Sequence, residues 1–90
     1  MNLNQTITFE ETVFAQEIDG EMVLLDMNSE NYFGLDSVGT DIWQTLQETK
    51  KINKVLDILI NMYDIDKITL QKDMFQFLEE LEKNNLISIA

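Results

Sequence analysis

The chain has 90 residues, 44% of them apolar and 26% charged, a composition that suits one globular domain and is too small for a second core. Seventeen acidic residues against six lysines give a formal net charge of −11, so a nucleic-acid partner is not expected, because its phosphates would be repelled. Histidine and cysteine are both absent, which excludes imidazole and thiolate metal sites, cysteine nucleophiles and histidine-based catalytic triads.

The first third of the chain is predicted to form strands. Residues 6 to 18 alternate without a helical period, and Asp19-Gly20 is a strong turn signal, so one or two strands should precede a strand from Glu21 to Asp26. Four consecutive apolar residues, Met22 to Leu25, predict that this strand is central and covered on both faces. A polar turn then leads to an outer strand from Asn31 to Leu35.

The remainder of the chain is predicted to form three helices. Asp36-Ser37 is an N-cap pair, and apolar residues at the helical period predict a first helix over about 38 to 48 with Trp43 on its buried face. A second amphipathic pattern covers residues 52 to 63, and a third covers residues 70 to 81.

The end of the third helix is marked by Asn84-Asn85, either of which can adopt the left-handed C-cap conformation. Residues 86 to 89 are β-prone and should form a short strand or pack on the core. Strands followed by helices predict a segregated α+β domain. We therefore expect residues 1–90 to form a single winged helix-turn-helix domain, with a small antiparallel three-stranded sheet followed by three helices.

Two short motifs suggest other functions. Gly34 to Val38 resembles the signature of acyl and peptidyl carrier proteins, in which a serine, here Ser37, carries phosphopantetheine; that reading requires a long helix before the serine, whereas strands are predicted there. Asp26-x-Asn28-x-Glu30 has the ligand spacing that opens a calcium loop, but glycine is missing at its sixth position and glutamate at its twelfth. A polar turn explains these residues better, so no metal or cofactor is expected.

The order and spacing of several segments resemble the PqqD-like family, that of pyrroloquinoline-quinone biosynthesis protein D. The resemblance runs from about residue 12 to residue 89. It is carried by the residues Val23-Leu24-Leu25-Asp26, Tyr32-Phe33-Gly34-Leu35-Asp36, Val38-Gly39, Ile42-Trp43, Asp73-Met74, Phe77-Leu78, Leu81 and Leu86-Ile87. Two positions depart from the family pattern, Asp36 in place of asparagine and Asn85 in place of glycine, and both residues can still serve as helix caps.

The resemblance implies a RiPP recognition element, a non-catalytic module that binds the leader of a ribosomally made precursor peptide, for example of a lasso peptide. Such a module presents the leader to a modifying enzyme of its pathway, a protease, a cyclase or a radical-SAM enzyme. In the family the leader adds as a strand to the outer strand of the sheet and lies against the third helix. The corresponding residues here are Asn31, Tyr32, Phe33, Gly34, Leu35, Leu70, Asp73, Met74, Phe75, Phe77, Leu78 and Leu81.

Within the third helix, Met74, Leu78 and Phe75 are expected to face the bound peptide, and Phe77 and Leu81 to anchor the helix to the core. No residue is predicted to be catalytic. A winged-helix DNA-binding regulator is disfavoured by the acidic third helix. Because the N-terminus lacks the pattern of a secretory signal, we expect the protein to be cytoplasmic, with neither nucleic acid nor membrane as a partner.

Overall fold

The chain folds into five strands and three helices, and the computed structural model describes all residues from 1 to 90. In chain order the elements are β1 (Ile7–Phe9), β2 (Val13–Ile18), β3 (Glu21–Asp26), β4 (Asn31–Gly34), α1 (Ser37–Thr49), α2 (Ile52–Ile60), α3 (Lys67–Lys83) and β5 (Ile87–Ile89). The predicted α+β class is confirmed, with a three-stranded antiparallel sheet followed by three helices.

The three-stranded sheet has the order β2-β3-β4, with β3 in the centre as predicted. Asp19 and Gly20, between β2 and β3, have φ of 53° and 84°, values that glycine adopts freely and aspartate tolerates. One expectation for β3 is wrong, because only one of its faces is covered. Met22, Leu24 and Asp26 point to the core and are buried. The intervening side chains lie on the opposite face and are only half-buried, since no helix packs there.

A second, two-stranded sheet joins the two ends of the chain, where β1 pairs antiparallel with β5. Ile7 lies opposite Ile89, and Phe9 lies opposite Ile87. Beyond the last pair, the N–H of Thr6 donates to the Ala90 carbonyl at 2.7 Å. The C-terminal residues therefore form a strand, one of the two outcomes expected, and their partner is the first strand.

The helices begin and end close to the predicted positions, and the predicted caps Asp36 and Asn85 act as expected. Asp36 accepts a hydrogen bond from the Gly39 N–H at 2.7 Å at the start of α1, and Asp66 caps α3 through the Ile68 N–H. After α3, Asn85 has a φ of 59°, the left-handed conformation that the sequence predicts. The second helix stops at Ile60, earlier than its apolar pattern suggests.

A cluster of 17 buried apolar side chains fills the space between the sheets and the helices. Trp43 of α1 is 2% exposed, as predicted, and its ring meets Phe9 edge to face with centroids 4.7 Å apart. Helix α1 is also tied to the sheet by a buried hydrogen bond from the Met22 N–H to the Thr40 hydroxyl, at 2.9 Å. None of the helices has the length and hydrophobicity needed to cross a membrane.

The segment before Ser37 bears on the carrier-protein alternative. Three consecutive strands, β2 to β4, occupy residues 13 to 34, where a carrier protein would need a long helix. Ser37 is the first residue of α1, directly after its N-cap Asp36. The Asp-Ser pair thus has a complete structural explanation as a helix cap.

Candidate functional site

One edge of β4 is unpaired. Strand β3 lies on its other side, and the Leu35 N–H donates to the Met22 carbonyl at 2.9 Å just beyond the end of the strand. Hydrogen-bonding direction alternates along an antiparallel strand, so Asn31 and Phe33 also turn their main chains toward β3. The N–H and C=O groups of Tyr32 and Gly34 consequently point away from the sheet, where an added strand could pair with them.

The turn before β4 is held by Asp26, whose side chain is buried at the end of β3. Its carboxylate accepts hydrogen bonds from the Asn28 N–H, the Ser29 hydroxyl and the Thr12 hydroxyl, at 3.0 to 3.1 Å. These bonds, led by the one from Asn28, hold the pKa of Asp26 below its ordinary value, although burial opposes them. Asp26 therefore fixes the turn that positions the free edge.

A cleft of about 370 Å³ begins two residues beyond β4, between the start of α1 and α3. Its apolar surface comes from Val38, Ile42 and Phe77. The Phe77 ring lies against Gly39, where an added Cβ would come within 3.1 Å of the ring. Glycine at this helical position thus allows the close approach of α3 to α1.

The polar rim of this cleft carries acidic groups and no basic one. Asp36 contributes from the N-cap of α1, and Asp73 and Glu80 contribute from α3, together with the neutral Gln76. Asp73, Phe77 and Glu80 are spaced four and three residues apart, so they share one helix face. Such a cleft favours an apolar group accompanied by a positive charge.

The exposed face of α3 continues past this cleft. Gln76 also borders a shallow depression of about 640 Å³ that includes Ile68 and the half-buried Phe75. Ile68 is 80% exposed, the largest value among the apolar side chains of the chain. Helix α3 therefore carries apolar surface outside its contact with the core.

The structure places the predicted site residues in two groups. Asn31, Tyr32 and Gly34 are exposed on β4, Phe33 is half-buried, and Leu35 is buried just after the strand. Asp73, Phe75 and Phe77 are accessible on α3. By contrast, four predicted contact residues lie in the core: Leu70, Met74, Leu78 and Leu81.

The predicted orientation of α3 is therefore wrong in part. Met74 and Leu78 are 0% exposed and cannot face a bound peptide, while Phe77, the expected anchor, lines the cleft. The buried residues follow the spacing 70, 74, 78 and 81, and Phe77 lies at the edge of this stripe. Because the apolar stripe is wide, its composition alone does not reveal which edge packs inward.

The contribution of α1 to the cleft was not predicted. Asp36 and Val38 were interpreted only as parts of a helix start, and Ile42 only as core. One signal was available, since Gly39 lies inside a helix, where glycine is unfavourable unless another group approaches closely. No group of three or more side chains in the chain is arranged to hold a metal ion.

Comparisons with known proteins concern the family and the fold of the chain. The family model for coenzyme PQQ synthesis protein D (PqqD) matches residues 21–87. A solved structure of TbiB1 in complex with the TbiA(beta) leader peptide is 35% identical, with a TM-score of 0.85, and the alignment covers 89% of this chain and 93% of that chain. No match was found among curated proteins.

A second solved structure, a lasso peptide synthetase B1 complexed with the leader peptide, is 22% identical, with a TM-score of 0.84. The alignment covers 92% of this chain and 98% of that chain. At this level of identity the similarity concerns the fold.

Proposed function

The chain belongs to the PqqD family, and from this premise we propose that residues 1–90 form a single non-catalytic module that binds the leader of a ribosomally made precursor peptide. The module presents that leader to a modifying enzyme of the same pathway. The similar TbiB1, 35% identical, is bound to a leader peptide in its solved structure. This similarity supports the same class of ligand here.

The observation that carries the proposal is the continuity between the free edge of β4 and the cleft under Phe77. A peptide strand paired with the main chains of Tyr32 and Gly34 would run along β4. Just beyond the strand, Asp36 and Val38 form one wall of the cleft. Main-chain hydrogen bonds would thus supply affinity, and a side chain seated on Phe77 would supply specificity.

Both parts of this site are held in place before any peptide arrives. The buried carboxylate of Asp26 accepts the hydrogen bonds that hold the turn before β4. At the other end of the strand, the Leu35 N–H donates to the Met22 carbonyl. Phe77 is supported by the backbone at Gly39. Preorganisation of this kind lowers the entropy cost of binding, since little of the site must be ordered by the ligand.

Amide hydrogen exchange, measured with and without the TbiA(beta) leader peptide that is bound to the 35% identical TbiB1, tests the proposal. We expect new protection in residues 31 to 35 and in residues 73 to 80. A scrambled peptide of the same composition is the control for charge-driven association and should protect neither segment. Protection confined to residues 48 to 63 would place the peptide elsewhere and overturn the proposal.

A further inference from the structure

The three-stranded sheet has an apolar face that no other element of the chain covers. Phe14, Leu25 and Tyr32 lie opposite one another on β2, β3 and β4, and form a row across this face. Val23 and Ile18 lie on the same face nearer the β2–β3 turn, opposite the polar side chains of Gln16 and Glu21. We call the five apolar residues the outer face. The helices pack on the other side of the sheet, where Met22 and Leu24 are buried.

The outer face is exposed to an unusual degree for such large side chains. Tyr32 is 72% exposed, Phe14 61% and Ile18 50%. The two residues from the central strand, Val23 and Leu25, are half-buried only by their neighbours on the sheet. Large exposed aromatic and branched side chains grouped on one face, with a few polar groups among them, are typical of a protein interaction site.

The charges around the outer face are of one sign. No basic residue occurs before Lys50, while Asp19, Glu21 and Glu30 lie in or beside the turns and strands of the sheet. Glu21 is directly opposite Ile18. A surface that covers this face without electrostatic cost must therefore be apolar at its centre and basic at its rim.

We propose that the outer face docks a partner protein with an apolar centre and a basic rim, and that this partner is the enzyme that modifies the precursor peptide. The inference rests on the proposed function in one respect. A leader added beside β4 extends the same sheet, so every second leader side chain would emerge next to Tyr32 on the outer face. The partner would then contact the chain and its bound leader together.

A second copy of the chain does not fit this surface. Two outer faces packed together would bring two rims of aspartate and glutamate into contact, with no lysine nearby to balance them. Like charges held close in this way oppose association. The surface favours a partner of opposite charge over self-association.

The test uses proteases, cyclases and radical-SAM enzymes encoded in the same genome, each purified and titrated against the full chain by fluorescence anisotropy. Phe14→Thr and, independently, Ile18→Thr remove exposed apolar groups and place a β-branched residue, which suits a strand, at each position of β2. Each should raise the dissociation constant of the enzyme complex about tenfold. Met62→Thr is the matched control, because Met62 is 55% exposed but lies after α2, far along the chain from the sheet.

Charge and coupling give two further readouts. Glu21→Lys should weaken the enzyme complex about tenfold, whereas Glu82→Lys, an equal charge change near the end of α3, should leave it unchanged. Saturating leader should strengthen the complex about fivefold or more, since the leader enlarges the docking surface. The proposal requires both effects, the weakening by Glu21→Lys and the strengthening by leader.

Leader affinity, measured separately, distinguishes this inference from the proposed function. If the unaltered chain binds no leader, the proposed function fails. If leader binds normally but no encoded enzyme binds, or Phe14→Thr and Met62→Thr behave alike, the docking inference alone is overturned. It is also overturned if Phe14→Thr weakens the leader more than the enzyme, or if sedimentation shows a dimer that Phe14→Thr dissociates.

Discussion

Trp43 is the largest of the fully buried side chains, and its contacts connect α1 to the first strand through Phe9. Its indole N–H is buried without a hydrogen-bond partner, so it contributes through packing alone. We expect Trp43→Ala to lower the free energy of unfolding by ~3–5 kcal/mol, because the cavity cannot close fully. Urea denaturation measures this loss, and a variant with an unchanged unfolding free energy would contradict the packing described here.

Tyr63 couples the segment after α2 to α1 through a hydrogen bond from its hydroxyl to the Asp41 carboxylate. This bond, with burial and the nearby negative charge, raises the pKa of Tyr63 from 10.0 to about 12. A tyrosine in the unfolded chain ionises at lower pH than the folded one. The stabilisation is therefore complete below pH 10 and is lost as the pH rises from 10 toward 12.

The titration of Tyr63 can be observed directly, since the chain has only two tyrosines. In Tyr32→Phe, the ultraviolet absorbance of tyrosinate reports Tyr63 alone, and it should appear near pH 12. Urea denaturation should show that the stability advantage of the unaltered chain over Tyr63→Phe shrinks across the same interval. Ionisation near the ordinary value of 10.0 would show that the contact with Asp41 is absent in solution.

At the scale of the element, two adjacent residues of α3 are expected to have different roles, one in peptide binding and the other in folding. Phe77 lines the cleft and Leu78 is 0% exposed in the core. Phe77→Asp should reduce leader affinity about tenfold or more with a small loss of stability. Leu78→Asp should cost more than about 4 kcal/mol and prevent folding, because the carboxylate has no buried partner.

Circular dichroism and leader titration of these two variants decide between the observed orientation of α3 and the one that the sequence suggested. If Leu78→Asp stays folded but loses the leader while Phe77→Asp binds normally, the helix faces the peptide through Leu78. That result would contradict the burial of Leu78 in the structure.

The edge strand β4 offers a second matched pair. Tyr32→Pro removes an N–H that points to the free edge, so the fold should survive while leader affinity falls about tenfold. Phe33→Pro removes an N–H that faces β3 and should destabilise the sheet. Tyr32→Ala keeps the N–H and is the control for loss of the ring. Equal binding by Tyr32→Pro and Tyr32→Ala would count against strand addition at this edge.

The elements differ in how far the sequence predicts them. Strand β3 was predicted with its observed bounds, because a turn signal stands on each side of it. The start of α1 and the end of α3 were predictable from Asp36 and Asn85, because helix caps are also local sequence signals. The pairing of β1 with β5 was not predicted, since it joins residues about 80 positions apart and no local pattern specifies it.

The candidate site, like the fold, was predictable from the sequence only in part. The free edge follows from strand order, and the helix named for the peptide site does line the cleft. The assignment of Met74 and Phe77 was reversed because periodicity defines a stripe but not the direction in which its centre points. The contribution of α1 depends on the packing of Phe77 against Gly39, a tertiary contact that only the structure reveals.

For the whole molecule, the distribution of charge matters as much as its total of −11. All six lysines lie in the segment from Lys50 to Lys83. Every charged side chain of the three-stranded sheet and of α1 is therefore acidic. The free edge of β4 and Asp36 belong to this part of the chain, and Asp73 and Glu80 of α3 complete a cleft rim that has no basic residue. A leader that carries lysine or arginine would be steered toward its site from a distance.

This asymmetry makes a kinetic prediction. Raising the ionic strength from about 0.01 to about 0.15 M shortens the screening length from roughly 30 to roughly 8 Å, which removes steering but leaves close contacts in place. The association rate constant of a basic leader should fall about tenfold, and the dissociation rate constant should change less than about twofold. Stopped-flow fluorescence measures both, with a leader whose basic residues are replaced by glutamine as the control that should show little salt dependence. If the dissociation rate constant instead rises in proportion to salt, the complex is held by charge at the rim of the cleft. The affinity would then come neither from strand pairing at Tyr32 and Gly34 nor from the apolar surface of Phe77.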